Sequence, residues 1–558
     1  MGADAGELRV ALAQLNPTVG DLAGNAALAR KARAEAAALG ADLVVFPELF
    51  ISGYPPEDLV LKPAFVAACR AAVEGLAAET SDGGPAMLLG APWPGEGGKP
   101  YNAVALLDGG GVQALRFKTD LPNYGVFDEK RVFAQGPMPG PVNFRGVRLG
   151  LPICEDIWTP DVCECLAETG AEILISPNGS PWTLTKRDVR MNQAVARVTE
   201  TGLPLIYVNQ VGGQDELAFD GASFALNRGG AMAHQAPAWE SALSMVTLRR
   251  GADGWRAKPS ELAVVEEGDE AAYRACVVGL RDYVEKNGFP GVLLGLSGGV
   301  DSALCAAMAV DALGAARVHC LMLPYRYTSQ ASLDDAAACA QALGVRYDIA
   351  PIYAPVEGFT AALGPLFAGR NSDITEENLQ SRTRGALLMA VSNKFGAMLV
   401  TTGNKSEVSV GYATLYGDMN GGFNPIKDLY KTQVFALCRL RNAKRPRGCL
   451  GPQALVIPET IITKAPTAEL RENQKDQDSL PPYDVLDDIL ACLVDREMPL
   501  DEIIARGHDG AVVRNVERLL YLAEYKRRQS APGVKITDRN FGRDRRYPIT
   551  NKFREVLI

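Results

Sequence analysis

The sequence predicts an α/β protein with two domains. The chain has 558 residues, 47% of them apolar and 22% charged, which is typical of a globular protein with large cores and long enough for more than one domain. Short apolar runs alternate with Ala-rich stretches in both halves, the pattern of helices packed on sheets. Between the halves, residues 249–270 lose this alternation and gather Gly, Pro and charge. We predict a first domain over 1–250, a linker over 251–269 and a second domain over 270–558.

The first domain begins with a predicted strand over 8–15, a helix over 26–39 and a strand over 41–49. Further along, a helix over 161–170 separates predicted strands over 147–154 and 172–179. Strands interleaved with helices in this way indicate α/β layering.

The second domain begins with an amphipathic helix over 270–288 and a strand over 291–296. A helix from about Ala303 to Leu313 follows, and strands and helices alternate up to residues 397–404. From about Pro481 onward the pattern is mostly helical.

The C-terminal tail is basic. Between Lys526 and Arg554 it has ten Lys or Arg residues against two Asp. Such a run is usually a solvated face or a nucleic-acid patch, but the interspersed Phe541, Tyr547 and Phe553 favour packing. In a chain with a net charge of −9, a local basic strip fits a polyanionic small substrate or a subunit contact better than RNA.

Composition excludes several classes of function. The three histidines, His234, His319 and His508, are scattered, which argues against a zinc site or a His-based triad. The acidic net charge disfavours nucleic-acid and anionic-membrane partners. Eleven cysteines without a CxxC pair, and an N-terminus without a signal sequence, predict a cytoplasmic protein.

A first candidate site contains no histidine. Cys154 closes a predicted strand, Glu48 ends another, and Lys118 lies in a predicted loop among apolar residues. A thiolate is a nucleophile when a base and a cation support it, so this set can deprotonate the thiol and stabilise a tetrahedral oxyanion without a histidine. Taken singly, such a Cys is more often a small buried hydrophobe, and a lone Glu or Lys a surface charge.

Three segments carrying these residues, 46–59, 118–129 and 151–158, closely resemble the glutaminase branch of the nitrilase (carbon–nitrogen hydrolase) superfamily. The resemblance implies an α-β-β-α sandwich with Glu48 as proton acceptor, Lys118 stabilising the oxyanion and Cys154 forming a thioester. Glu129 resembles a supporting glutamate of such sites. The resemblance further implies glutamine contacts at Tyr124, Ser180 and Lys186.

A second candidate site is the glycine-rich loop, residues 297–302 (SGGVDS), between a predicted strand and a helix. This geometry directs backbone N–H groups at a phosphate. The loop lacks GxxxxGK[ST] and GxGxxG, so Walker-type and dinucleotide-binding loops are disfavoured. Asp301 beside phosphates calls for a cation such as Mg²⁺, although an Asp in the first turn of a helix is also stabilised by the helix dipole alone.

The full loop resembles the PP-loop of ATP pyrophosphatases, and segments 378–393, 401–434 and 524–554 resemble the NAD+ synthetase family. The fold implied is a Rossmann-like parallel sheet with a helical C-terminal region. The resemblance implies Mg²⁺ ligands at Asp301 and Glu407. It implies ATP contacts at Gly295, Leu296, Ser297, Gly298, Gly299, Val300, Asp301, Ser302 and Thr402. Deamido-NAD contacts are implied at Asn378, Glu407, Asp418, Lys431 and Lys526, with Arg382 and Arg384 as further candidates.

Together the two halves resemble the glutamine-dependent NAD+ synthetases. The resemblance implies a carbon–nitrogen ligase that hydrolyses L-glutamine and uses the ammonia to amidate deamido-NAD+ at the expense of ATP, as the last step of NAD+ biosynthesis. Ammonia in bulk water at neutral pH becomes ammonium, so an internal channel is expected. The resemblance also implies a homo-oligomer, from a dimer up to an octamer.

Three alternatives stay open at this point. Other PP-loop amidotransferases use either a Cys–His–Glu glutaminase or a catalytic Cys at residue 2, which is Gly2 here. A tRNA-modifying PP-loop protein would bind RNA in a salt-sensitive way, against the acidic net charge. A nitrilase-like half can also survive as an assembly module without catalysis, since a motif is a hypothesis about geometry.

Overall fold

The computed structural model of the protein describes residues 6–555. Within it the chain forms two compact units that meet in sequence between Glu266 and Glu267. Gly2, which bears on the alternative with an N-terminal catalytic cysteine, lies outside the described residues.

The strands of the first unit form two larger sheets and one hairpin. The strand order is β15-β14-β1-β2-β3-β4-β5 in one sheet and β13-β12-β9-β8-β7-β6 in the other, while β10 pairs with β11. In chain order the strands are β1 (Glu7–Gln14), β2 (Leu43–Val45), β3 (Ala86–Trp93), β4 (Tyr101–Asp108), β5 (Gly111–Phe117), β6 (Val142–Phe144), β7 (Val147–Gly150), β8 (Ile173–Asn178), β9 (Leu205–Asn209), β10 (Val211–Gln214), β11 (Leu217–Asp220), β12 (Phe224–Leu226), β13 (Met232–Gln235), β14 (Ala242–Gly251) and β15 (Gly254–Ala257).

The two larger sheets pack face to face with helices on their outer faces. Leu43 and Leu88 of one sheet share a fully buried core with Ile173 and Ile206 of the other. Separate outer cores contain residues of α1 and α2 on the first sheet and of α4 and α5 on the second. This arrangement confirms the predicted α-β-β-α sandwich. The helices of this unit are α1 (Leu22–Ala38), α2 (Pro63–Glu79), α3 (Glu129–Val132), α4 (Asp161–Glu168) and α5 (Lys186–Thr201).

Two strands that lead to the first candidate site end earlier than the sequence analysis predicted. β2 ends at Val45 and β7 at Gly150, so Glu48 and Cys154 lie in the loops that follow. Pro47 and Pro152 explain the early ends, because a proline cannot donate a ladder hydrogen bond within a central strand. The predicted prolongation of these strands to Glu48 and Cys154 was therefore wrong.

The second unit has a parallel sheet with the strand order β18-β17-β16-β19. Its strands are β16 (Val292–Gly295), β17 (Val318–Met322), β18 (Arg346–Ile349) and β19 (Met398–Leu399). After β16 the chain forms β17 and β18 on one side of it, and later forms β19 on its other side. The carboxyl end of β16 is thus a topological switch point, where open α/β sheets bind ligands.

Helices make up most of the rest of this unit, in agreement with the predicted parallel-sheet α/β domain with a helical C-terminal region. They are α6 (Gly268–Lys286), α7 (Val300–Leu313), α8 (Gln330–Leu343), α9 (Tyr353–Leu363), α10 (Ile374–Phe395), α11 (Lys405–Val410), α12 (Lys431–Ala443), α13 (Glu459–Thr463), α14 (Tyr483–Leu490), α15 (Leu500–Ala505), α16 (Gly510–Leu522) and α17 (Glu524–Arg527).

The segment predicted as a linker, 251–269, begins inside the first unit. It contains β15, which pairs with β14, and it ends where α6 begins at Gly268. Over residues 6–555, no helix combines the length and the apolar character needed to cross a membrane.

The basic tail packs through its aromatic residues. The guanidinium of Arg545 lies 3.6 Å from the centre of the Tyr547 ring, and Phe541 is buried. Phe553, in contrast, is 64% exposed. Two of the three interspersed aromatic side chains therefore contribute to the packing that their spacing indicated.

Candidate active sites

Lys118 is the centre of the first site. Its side chain is completely buried directly after β5, and its Nζ donates to Oε1 of Glu48 at 2.7 Å and to Oε1 of Glu129 at 2.9 Å. Tyr54 donates from its hydroxyl to the same Glu129 oxygen at 3.0 Å. One buried ammonium thus lies between two buried carboxylates.

Glu48 is held by neighbours on both of its oxygens. Besides Lys118, Oε1 accepts from Nδ2 of Asn102 at 2.7 Å, and Oε2 accepts from the backbone N–H of Gly179 at 2.9 Å. Asn102 was not predicted as a site residue, because it lies on β4 and becomes a neighbour of Glu48 only through strand pairing. The backbone carbonyl of Asn102 accepts from the backbone N–H of Lys118 at 2.8 Å.

Cys154 begins a tight turn, Cys154–Ile157, with the left-handed φ of +46° that is uncommon for a side-chain-bearing residue. Asp156 fixes this turn against the loop after Lys118. Its Oδ2 accepts from the N–H of Ile153 at 2.9 Å, and its Oδ1 accepts from those of Thr119 at 3.0 Å and Asp120 at 2.7 Å. Asp156 was not predicted, although it stands two residues after Cys154.

Burial and charge set the resting protonation of this site. Burial raises the pKa of Cys154 well above its ordinary value, and the carboxylate of Glu48 raises it further, so the group rests as a thiol. Burial lowers the pKa of Lys118, but Glu129 and Glu48 outweigh it, and the ammonium stays charged. Burial raises the pKa of Glu129 to about 7 against the opposing effect of Lys118. A thiol, a base and a fixed cation together suit nucleophilic attack on an amide.

The three residues predicted to bind glutamine differ in their surroundings. Tyr124 is half exposed and donates from its hydroxyl to Oε1 of Glu155 at 2.9 Å. Lys186 lies with Nζ 3.8 Å from the ring centre of Trp158. Ser180 is buried and directly follows Gly179, the donor to Glu48. Glu155, next to Cys154, was not predicted as a site residue.

The second site is a cavity of about 330 Å³ at the carboxyl ends of β16 and β19. Every residue predicted to contact ATP lines it, as do Glu407, Asp418, Lys431 and Arg384. A cavity of this size beside a switch point can hold a nucleotide. The predicted ATP residues are Gly295, Leu296, Ser297, Gly298, Gly299, Val300, Asp301, Ser302 and Thr402.

The glycine-rich loop connects β16 to α7 in a fixed shape. Gly298 has a φ of +78°, and a Cβ there would lie 2.3 Å from the carbonyl oxygen of Ser332. Ser302 accepts from the backbone N–H of Ser297 at 3.2 Å and donates to the carbonyl of Gly299 at 3.0 Å. The loop therefore presents backbone N–H groups at the start of a helix, as a phosphate site requires.

Asp301 and Glu407 converge on one point. Nζ of Lys431 donates to Oδ2 of Asp301 at 2.5 Å and to Oε1 of Glu407 at 3.0 Å. Asn404, which was not predicted, donates from Nδ2 to Oδ1 of Asp301 at 2.8 Å. Burial raises the pKa of Glu407 to about 7, opposed by Lys431.

This arrangement fits Mg²⁺. Two carboxylates that share one ammonium can share a metal cation, and Mg²⁺ is usually held by one or two carboxylates together with substrate phosphates. Across residues 6–555 there is no cluster of three or more His, Cys, Asp or Glu side chains that would form a metal site from protein ligands alone. Phosphates of a bound nucleotide would have to complete the coordination.

The remaining predicted contacts, Asn378, Lys526 and Arg382, are not among the residues that line the cavity. Asn378 accepts through Oδ1 from the hydroxyl of Thr414 at 2.8 Å. Lys526 donates to the carbonyls of Gly411 and Ala413, each at 2.7 Å, and Arg382 donates to that of Leu415 at 3.2 Å. Of their partners, Thr414 and Ala413 line the cavity. Asn378 and Lys526 therefore each hydrogen-bond to a residue of the cavity wall.

Known proteins match both units. The carbon-nitrogen hydrolase family model matches residues 9–257, and the NAD synthase family model matches residues 272–530. A glutamine-dependent NAD(+) synthetase from Rhodobacter capsulatus is 55% identical over 98% of this chain and 99% of its own. One from Xanthomonas campestris pv. campestris is 48% identical over 98% of both chains.

Two solved structures are similar to this chain over 98% of its length. The glutamine-dependent NAD+ synthetase from Acinetobacter baumannii, determined in complex with ADP, is 43% identical with a TM-score of 0.78, over 98% of this chain and 99% of that one. The Cytophaga hutchinsonii enzyme of the same name is 23% identical with a TM-score of 0.82 over 98% of both chains, a likeness of fold. The chain belongs to the family of glutamine-dependent NAD(+) synthetases.

Proposed function

We propose that this chain amidates deamido-NAD+ to NAD+ with ammonia that its own first unit releases from L-glutamine. ATP supplies the energy and leaves as AMP and pyrophosphate. Two observations on one chain support this proposal: a buried Cys–Lys–Glu set in the first unit and a nucleotide-sized cavity with a phosphate loop in the second. Identity of 55% to a named relative over nearly the full length supports the pairing of the two reactions.

The first reaction begins at Cys154. Glu48 accepts the proton of the Cys154 thiol as the sulfur attacks the side-chain carbonyl carbon of glutamine. The charged Lys118 ammonium, fixed by its two carboxylates, stabilises the negative oxygen of the tetrahedral intermediate. Glu48 then returns the proton to the leaving nitrogen, which departs as ammonia and leaves a thioester on Cys154. Glu48 then takes a proton from water as the water oxygen attacks the thioester carbonyl. The carbon–sulfur bond breaks, Glu48 returns the proton to the sulfur of Cys154, and glutamate leaves.

Around this centre, Tyr124, Ser180 and Lys186 bind the glutamine substrate. Ser180 is buried beside Gly179, the residue that donates to Glu48. Lys186 and Tyr124 are more exposed, where the charged end of an amino acid substrate would lie. Glu155, the partner of Tyr124, offers a carboxylate to the α-ammonium of glutamine.

The second reaction takes place in the cavity. The nicotinate carboxylate of deamido-NAD+ attacks the α-phosphorus of ATP, and pyrophosphate leaves against the N–H groups of the glycine-rich loop. Ammonia then attacks the acyl-adenylate carbonyl, and AMP leaves to give NAD+. Asp418 and Glu407, which line the cavity, contact the deamido-NAD+ substrate together with the segments that Asn378 and Lys526 support.

Asp301 and Glu407 would hold Mg²⁺, which when bound neutralises the phosphate charge of ATP. Lys431 lies between the same two carboxylates and is placed to turn its ammonium toward the phosphates. Asn404 keeps the Asp301 carboxylate directed into the cavity.

The decisive experiment measures NAD+ formed from deamido-NAD+, ATP and Mg²⁺, with either glutamine or ammonium as the nitrogen donor. We expect wild type to use both donors and Cys154→Ala to use ammonium alone. Cys163→Ala is the matched control, because Cys163 is also a fully buried thiol of the first unit but lies on α4. It should use both donors.

The outcomes are separable. No NAD+ from either donor in wild type would overturn the substrate assignment. Glutamine-driven synthesis by Cys154→Ala would overturn the role of this thiol.

We also propose a cytoplasmic location and a homo-oligomer, from a dimer up to an octamer. All eleven cysteines, which fall within the described residues, are free, as in a reducing compartment. Exposed apolar side chains such as Leu366 and Phe367 in the second unit support an association between copies. Light scattering on the purified protein tests the oligomer. The acidic net charge supports small molecules rather than nucleic acids or membranes as partners.

A further inference from the structure

A buried ion pair lies beneath the glutaminase site and has no role in the mechanism above. Arg190, near the start of α5, donates from one terminal nitrogen to both oxygens of Asp220 at 3.1 Å, and both side chains are only 2% exposed. Asp220 is the last residue of β11. The pair therefore connects a helix to the short hairpin of the first unit.

The Arg190–Asp220 ion pair is not explained by a contribution to stability alone. Taking both charges out of water is costly, and well-packed apolar residues often stabilise such a position better. Moreover, within the described residues Nε of Arg190 is buried without a hydrogen-bond partner. We therefore looked for a functional reason for the buried guanidinium in the other hydrogen bonds that it makes.

Those contacts converge on Ser180. The other terminal nitrogen of Arg190 donates to the Ser180 carbonyl at 3.2 Å. Asn209 completes the ring: its Oδ1 accepts from the N–H of Ser180 at 2.9 Å, and its Nδ2 donates to the Ser180 carbonyl at 3.1 Å and to Oδ1 of Asp220 at 3.4 Å. Both backbone polar groups of Ser180 are thus fixed by this network.

Ser180 and its neighbour Gly179 lead directly to the reacting groups. The N–H of Gly179 donates to Oε2 of Glu48. Gly179 packs closely against Tyr54, because a Cβ on it would lie 2.7 Å from that ring. A shift of Ser180 would therefore displace both a proposed glutamine contact and a hydrogen bond to the base.

We propose that Arg190 and Asp220 are positioning residues for the glutaminase reaction, which hold the Gly179–Ser180 segment so that it orients Glu48 and glutamine together. The inference rests on the proposed function of the first unit. Arginine is required because its planar fork reaches two acceptors at once, Asp220 on one side and Ser180 on the other. A lysine can replace the charge but not this geometry.

The test uses full-length variants and follows glutamate release from glutamine, ammonium-driven NAD+ formation and urea unfolding. Arg190→Lys keeps the charge beside Asp220. The double variant Arg190→Met/Asp220→Leu removes both charges and leaves neither one buried alone. We expect each to lower kcat/KM for glutamine by about tenfold or more, because small displacements in a catalytic site are costly.

The same variants separate positioning from stability. We expect both to unfold cooperatively and to keep ammonium-driven synthesis within about twofold of wild type. Arg197→Lys is the matched control. Arg197 is a buried arginine of the same helix with its own ion pair, to Glu200, but it makes no contact with Ser180 among the described residues. It should retain kcat/KM for glutamine.

Three results would overturn the proposal: wild-type kcat/KM in Arg190→Lys or in the double variant, an equal loss in Arg197→Lys, or loss of the folded first unit in Arg190→Lys, which would make the role structural. Failure of the proposed function would look different. In that case wild type itself would release no glutamate from glutamine.

Discussion

Nζ of Lys431 lies 2.5 Å from Oδ2 of Asp301, so the carboxylate at the start of the phosphate-loop helix is neutralised by a cation of the chain itself. Lys431 is 2% exposed and also bonds Glu407. The protein thus keeps two converging carboxylates at the nucleotide site by supplying an ammonium between them. This compensation has consequences that can be measured without any reaction.

Lys431→Met should destabilise the second unit by about 3 kcal/mol, because it leaves two largely buried carboxylates facing each other. Added Mg²⁺ should restore more stability to this variant than to wild type, since a cation that binds only the folded state stabilises it. Urea unfolding with and without Mg²⁺ measures both effects. Lys444→Met is the control: its pair with Glu270 is exposed and should matter by less than about 1 kcal/mol. Equal losses in the two variants would contradict the prediction.

Gly298→Ala should abolish ammonium-driven NAD+ synthesis while leaving glutamate release from glutamine intact. A Cβ at Gly298 would lie 2.3 Å from the carbonyl of Ser332, so the phosphate loop would have to move. Gly288→Ala is a matched control with a similar φ of +72° and nothing within 4 Å of the added Cβ. Both variants incur the cost of a left-handed alanine, about 1 kcal/mol, but only Gly298→Ala should lose ATP binding, measured by calorimetry. Equal affinity for ATP in the two variants would refute the close-approach argument.

Asp156→Asn should separate the loop of Lys118 from the turn of Cys154. The carboxylate accepts three backbone N–H bonds, whereas an asparagine amide would direct N–H groups at one of these donors. We expect a loss of about 1–3 kcal/mol in the stability of the first unit and a large drop in glutamine hydrolysis, with ammonium-driven synthesis kept. Asp161→Asn, an exposed change on α4, should alter neither. Full glutaminase activity in Asp156→Asn would show that other contacts suffice to join the two loops.

The alternation of strands and helices predicted α/β layering in both halves. The resemblance to known families implied the α-β-β-α sandwich of the first domain, the parallel sheet of the second and the candidate residues of each site. Cys154, Lys118 and Glu48 stand in segments that resemble the nitrilase superfamily, and the glycine-rich loop follows its strand directly. The ends of two strands were predicted less well than the strands themselves. Pro47 and Pro152 stop β2 and β7 early, and the apolar residues around them hide that interruption.

Residues that act through tertiary contacts could not be predicted in the same way. Asn102 contacts Glu48 only because β4 pairs with β5, the strand that directly precedes Lys118. Arg190 and Asp220 are thirty positions apart and meet only when α5 folds over the hairpin. In the sequence, Arg190 and Asp220 are charged residues like many others. Only the structure shows that both are buried.

The pH dependence of glutamine hydrolysis should depend on Glu129. Burial raises the pKa of this carboxyl to about 7 despite Lys118, so at lower pH it is protonated and loses the negative charge that holds the Lys118 ammonium in its ion pair. We therefore expect kcat/KM for glutamine to fall as pH drops through about 7. In Glu129→Gln, which cannot titrate, this inflection should move to lower pH or vanish in the remaining activity.

Glu79→Gln is the control for that profile, because Glu79 forms an exposed pair with Arg30 on the protein surface and should leave the inflection in place. Ammonium-driven synthesis, measured over the same pH range, separates effects on the second unit. An inflection near pH 7 that persists unchanged in Glu129→Gln would assign the titration to another group. Its disappearance would mean that the supporting glutamate, through its hold on Lys118, sets the pH at which the thiol can react.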